Sequence, residues 1–217
     1  MTNSMMKYAE IESLVFANGR DITTFPVDVF EVVKKLKLDK PVEVIKTQMP
    51  NCIGGYTRKE KNGYYIMINE RHLHRRQRFS VAHEIGHLYF KHKEASIHSW
   101  NYWDIHDNLQ ENQANEFAAR LLMPATEMYQ LSNIYNRYTL KLLEQIQVFF
   151  DVSLSATARR VTSLGIIEGS IILKDGKKTC FSYSSPHFPT ESNYKTKYKR
   201  KLSSGKTLYI LVAESWG

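Results

Sequence analysis

An α+β fold is predicted for this 217-residue chain. It comprises a first domain with a small antiparallel sheet and a long helix carrying His83-Glu84-Ile85-Gly86-His87, then a helical segment, then a small β-rich tail. Three observations predict it. β-rich runs flanked by turn residues precede a helix-periodic stretch from Arg75 to His92, apolar residues then recur at helical spacing as far as Leu164, and β-formers return between Ile166 and Ala213. The expected divisions are 1–130 for the first domain, 131–165 for a helix-turn-helix-like segment and 166–217 for the basic β-rich extension.

The elements follow in order. Pro26 and Asp28 precede Val29, Phe30, Val32, Val33, Leu36 and Leu38, whose spacing predicts an amphipathic helix over about 27–37. Pro41 to Ile45 and Gly63 to Asn69 read as strands, with turn residues at Asn51 to Gly55 and Lys59 to Gly63. The Arg75 to His92 helix lines up Phe79, Ala82, Gly86 and Phe90 along one side. Leu109 to Met123 is the next helix, closed by Pro124. Leu143 to Val161 reads as two short helices joined near Asp151-Val152, with Ser153 capping the second. Ile166 to Leu173, Lys178 to Tyr183 and Thr207 to Ala213 supply the strands of the tail.

Composition narrows the class. Hydrophobic residues make up 42% and charged residues 24%, and mean hydropathy is −0.42, values ordinary for a globular protein and foreign to a membrane or disordered one. No run approaches the roughly 18 apolar residues of a membrane span, and Met1 to Glu10 lacks an apolar core of the signal-peptide kind. A cytoplasmic location with no membrane partner is expected. Cys52 and Cys180 are the only cysteines, which excludes both a disulfide framework and a cysteine zinc site. The net charge of +8 is concentrated in the tail: residues 166–217 hold nine Lys or Arg against four acids.

The chemistry lies in the long helix. Residues four apart share a helical face, so His83 and His87 can direct imidazole nitrogens at one ion at about 2.0–2.1 Å. Glu84 projects about 100° further round, beside the metal rather than on it. Zinc lowers the pKa of water in its fourth position to roughly 7, and Glu84 is then suited to take the proton as general base during attack on a peptide carbonyl. Small or apolar neighbours (Val81, Ala82, Ile85, Gly86, Leu88) suit a ligand helix packed in a core rather than a solvated one. Two imidazoles and a carboxylate select Zn²⁺ but also hold Mn²⁺ or iron.

A third protein ligand is required. The pattern with a third histidine, HExxHxxGxxH, needs Gly and His where this chain has Phe90 and Lys93, and is excluded. His92 misses the spacing by one and reads as a helix-end histidine near the negative end of the dipole. The remaining source is a carboxylate on the next helix. Glu111 is the first choice, and Glu116 is the alternative. Glu111 with Asn115 resembles the ExxxD arrangement of gluzincins, in which Glu binds the metal and the residue four on supports a ligand histidine; here Asn stands for Asp.

Arg78 to Leu88, Glu111 to Pro124 with Leu121-Leu122-Met123-Pro124, and the preceding Phe25-Pro26-Val27-Asp28 and Ile66 to Asn69 are together similar to the ImmA/IrrE family of metallopeptidases, over about residues 22–165. That resemblance implies a zincin-like domain in a cytoplasmic endopeptidase. It further implies a protein substrate, a helix-turn-helix transcriptional repressor, whose cleavage derepresses mobile-element, phage or stress genes. Two rivals use other residues: a non-proteolytic module that binds the repressor, and a DNA-binding regulator using Arg159, Arg160 and the basic run Lys195 to Lys201. Two cations on the second short helix are a thin footprint for DNA, so structural support or partner docking is the favoured role of that segment. The basic run reads as a solvated loop in preference to a nucleic-acid contact. His98, Trp100, Tyr102, Trp103, His106 and Tyr89 are candidates for lining the cleft or stabilising an oxyanion.

Overall fold

The computed structural model describes residues 24–92, 109–186, 188 and 194–213, and the chain divides into two compact units, Met1–Pro124 and Ala125–Gly217. The fold is α+β. In the first unit Asp28 caps helix α1 (Val29–Lys35), its carboxylate accepting from the backbone N–H groups of Phe30 and Glu31. Val29 and Val33, one turn apart, are the buried face of this helix.

Strand β1 (Val42–Thr47) pairs with β3 (Tyr64–Asn69), and β2 (Gly55–Lys59) pairs with the other side of β3. The sheet is mixed, not antiparallel as expected: β1 runs parallel to β3, Val44 opposite Ile66, while β2 runs antiparallel, Thr57 opposite Ile66. The reason is β2 itself. Gly55-Tyr56-Thr57-Arg58-Lys59 has only two β-favouring side chains and gives no strand signal, yet it takes the hairpin with β3. The chain therefore reverses twice between β1 and β3, which leaves those two parallel.

Asn69 holds the crossing that this topology demands. Fully buried at the end of β3, its Nδ2 donates to the carbonyls of Met49, Pro50 and Ile53, and its Oδ1 accepts from the N–H groups of Met49 and Arg71. Asn69→Ala leaves those backbone groups without partners and is expected to cost about 2–3 kcal/mol in chemical denaturation. An unchanged midpoint would show that the crossing loop holds itself.

Helix α2 (His74–Tyr89) packs on β2, β3 and α1 and against α3 (Leu109–Leu122). From Gln77 to Gly86 every residue except Phe79 is buried, as befits a helix enclosed on most sides. It ends sooner than expected, at Tyr89. On α3, Ala114, Phe117, Ala118, Leu121 and Leu122 form the buried face. A Cβ on Gly86 would stand 3.1 Å from both the Ala114 Cα and the Phe117 Cβ, so α2 and α3 meet here backbone to backbone.

The second unit joins helices α4 (Ala125–Ile134), α5 (Leu140–Phe150) and α6 (Leu154–Ser163) to an antiparallel sheet of order β5-β4-β7-β6. Its strands are β4 (Ser170–Asp175), β5 (Lys178–Ser184), β6 (Tyr194–Lys201) and β7 (Thr207–Ala213). Asp151, left-handed at φ 50°, turns α5 into α6, and the Ser153 hydroxyl caps α6 at Ala156 N–H. Ile146, Phe150, Ala158, Val161, Ile171, Leu208 and Ile210 are buried in its core. The basic run Lys195 to Lys201 is a strand rather than the expected loop: it pairs antiparallel with β7, with a bulge between Thr196 and Tyr198. It lies at the sheet edge, where a row of cations discourages a further strand from pairing. Among the described residues no helix is long and apolar enough to cross a membrane.

Candidate metal centre

The i, i+4 spacing on α2 sets His83 and His87 ring beside ring, centroids 4.6 Å apart, with their Nε2 atoms 2.8 Å from each other. Across the close approach at Gly86, α3 delivers Glu111: Oε2 lies 3.3 Å from His83 Nε2 and Oε1 lies 3.3 Å from His87 Nε2. Ligating atoms of the three side chains all fall within 4.8 Å of one another, the only such His/Cys/Asp/Glu group among the described residues. Glu116 is elsewhere, its carboxylate accepting from Arg120 Nε at 2.8 Å.

The donor set fits a metal. A tetrahedral ion with bonds of about 2.0–2.1 Å has ligand atoms roughly 3.3–3.4 Å apart; both nitrogen-to-oxygen separations match that edge, and the two Nε2 atoms, at 2.8 Å, lie closer than it. Protonation points the same way. His83 Nδ1 donates to Asn115 Oδ1 at 3.0 Å, which leaves the Nε2 lone pair of a neutral ring facing its neighbours. Lone pairs of imidazole and carboxylate thus converge where only a cation or additional protons satisfy them. His83 is fully buried, so water cannot take that role from its side. Asn115 uses only its oxygen; its Nδ2 is buried without a partner.

Burial alone would push the Glu111 carboxyl up, but where additional protons on His83 and His87 satisfy the cluster, their hydrogen bonds and charge outweigh burial and hold it well below the usual carboxylate range. The sign follows from that depression: the contribution of ionised Glu111 to the folded cluster is present above about pH 4.3 and is lost only as pH falls through the lowered value.

Glu84, 4% exposed, stands beside this cluster and not in it. Its Oε2 accepts a hydrogen bond of 2.8 Å from Thr57 Oγ1 on β2, the edge strand. Thr57 gave no signal in the sequence, because its strand gave none. Two further side chains reach the cluster from its edge: His92, expected only as a helix-end histidine, has its Nδ1 3.0 Å from His87 Nδ1, and Gln113, which gave no signal, has its Oε1 3.0 Å from His92 Nε2. Burial lowers the proton affinity of His92 below that of a free imidazole, with Gln113 opposing and His87 adding to the shift.

Of the other expected residues, Tyr89 packs its ring on Phe117 and Phe90. His98, Trp100, Tyr102, Trp103 and His106 lie outside the described residues. The two cations of α6 separate: Arg159 is exposed and Arg160 is only 3% exposed.

Comparison with known proteins follows the same line. The model of the IrrE N-terminal-like domain, Peptidase_M78, matches residues 39–162. A search of curated proteins found no match. Among solved structures, a Mycobacterium tuberculosis transcriptional regulator is similar with a TM-score of 0.56 and 11% identity, over 94% of this chain and 68% of that one. That likeness is one of fold alone.

Proposed function

The chain belongs to the Peptidase_M78 family of IrrE N-terminal-like domains, and on that premise we propose that it is a zinc-dependent endopeptidase of zincin-like fold acting on a helix-turn-helix repressor. The convergence of His83, His87 and Glu111 within 4.8 Å, with a buried carboxylate on the same helix beside them, carries this reading. His83, His87 and Glu111 hold the metal, and Asn115 orients His83 through Nδ1. When bound, zinc acidifies a coordinated water and polarises the scissile carbonyl. Glu84 takes the proton from the attacking water and passes it to the leaving amine. Thr57 fixes which oxygen of Glu84 stays free to do so, since Oε2 is engaged.

Thr57→Val removes that donor while retaining shape. It is expected to lower kcat about three- to tenfold with little change in KM, measured on a cleavable protein substrate. A loss confined to KM would mean that Thr57 contacts substrate instead. The bond from Thr57 also supports a hydrolase over a module that merely binds its partner, because a positioned base beside a metal serves no purpose in binding.

The repressor as substrate is supported by the family alone. Helices α5 and α6, joined at Asp151, suit a helix-turn-helix-like segment, and the burial of Arg160 favours docking or structural support over DNA contact there. The test is incubation of the zinc-loaded full chain with a panel of helix-turn-helix repressors from the same genome, with cleavage followed by mass spectrometry. A discrete cut that a chelator abolishes is the expected result. A panel left wholly intact by loaded enzyme would overturn the substrate assignment.

A further inference from the structure

Every metal-ligating histidine needs something to hold its second nitrogen. Asn115 does this for His83. For His87 the geometry points to His92, itself held by Gln113, as a positioning residue that fixes the tautomer and ring orientation of His87. The inference rests on the metal-centre reading above.

Chain geometry makes the contact possible only because α2 stops. In a continuing helix, residues five apart lie about 140° round the axis and cannot face each other. Here the helix closes on Lys91, left-handed at φ 54°. His92 N–H donates to the His87 carbonyl at 3.0 Å and Lys91 N–H donates to the Leu88 carbonyl at 3.1 Å, the paired bonds of a Schellman closure. That closure folds His92 back over the last turn, behind His87 as seen from the cluster. Its Nδ1 faces His87 Nδ1, not His87 Nε2, so His92 is a partner of the ligand and not a fourth ligand.

The direction of the chain of hydrogen bonds follows from its far end. Gln113 Oε1 can only accept, so His92 Nε2 carries the proton. In a neutral His92 the Nδ1 then has a lone pair, and the proton between the two rings must sit on His87 Nδ1. That leaves His87 Nε2 unprotonated, aimed at His83 Nε2 and the Glu111 carboxylate. Gln113 thus sets the state of a ligand that it does not touch. With Glu111 and Asn115, it is the third polar side chain of α3 serving the site.

The experiment has two readouts in the full chain: zinc affinity by chelator competition, and the His87 tautomer by ¹⁵N imidazole shifts in the metal-free protein at pH 8. The wild type is expected to show the Nδ1–H form. His92→Ala should weaken zinc binding about 10–100-fold and give a mixture of His87 tautomers. His92→Gln, which returns a carbonyl oxygen at that point, should recover most of both. Gln113→Leu, which removes the bond to His92 rather than any bond to a ligand, tests the same chain should His92→Ala fail to fold, and is expected to mix the tautomers of His92 and His87. A folded His92→Ala or Gln113→Leu protein with wild-type affinity and an unchanged His87 tautomer would overturn the inference. Absence of zinc binding by the wild type would instead overturn the metal centre, and the tautomer readout would still decide the role of His92.

Discussion

The Glu84→Gln substitution is expected to lower peptide hydrolysis by about 10³-fold or more while leaving the metal content unchanged. Glutamine matches glutamate in size, which matters at a position 4% exposed, and it can still accept from the Thr57 hydroxyl. What it cannot do is take a proton at neutral pH. Because Glu84 is outside the group formed by His83, His87 and Glu111, its charge is not needed to bind the ion. Metal analysis and turnover measured on the same preparation separate the two roles. Undiminished cleavage by this variant would sink the assignment of Glu84 as base, and loss of metal along with activity would make it a ligand.

Glu111→Ala should have the opposite signature, with zinc lost first and activity following. Removal of an outer partner costs about 10–100-fold in affinity. Removal of a ligand that supplies the only charge in the cluster should exceed that and leave His83 and His87 with two bonds of the three required. The fold should survive, since Glu111 is partly exposed and the packing of α3 on α2 rests on Ala114, Phe117 and Ala118. Circular dichroism identical to the wild type, with zinc lost in chelator competition, is the expected pair of results. Retention of zinc at wild-type affinity would reassign the third ligand.

The clustering of His83, His87 and Glu111 was legible because it depends on two local regularities. One is the helical repeat that sets His87 one turn from His83, and the other is the spacing of Glu111 and Asn115, which resembles the ExxxD arrangement of gluzincins. Thr57 and Gln113 were not legible, because each reaches the site by a tertiary route. Thr57 sits on a strand whose own sequence barely favours one, and it meets Glu84 only after the sheet has formed. His92 reads as the last residue of the helix, which in fact stops at Tyr89; the left-handed Lys91, where glycine is the usual choice, hid the earlier stop. The parallel pairing of β1 with β3 escaped for the reason that β2 did, since direction depends on how many times the chain turns between strands. In the tail, counting lysines suggested a loop, and the strand there is decided by its pairing with β7, which no local pattern shows.

The bare backbone contact at Gly86 has one more consequence. With no side chain on Gly86, the main chains of the two helices approach closely there, which brings Glu111 within reach of the histidine pair. An extra methyl group would have to be absorbed by a shift of a few tenths of an ångström, so Gly86→Ala is expected to move the carboxylate relative to both imidazoles.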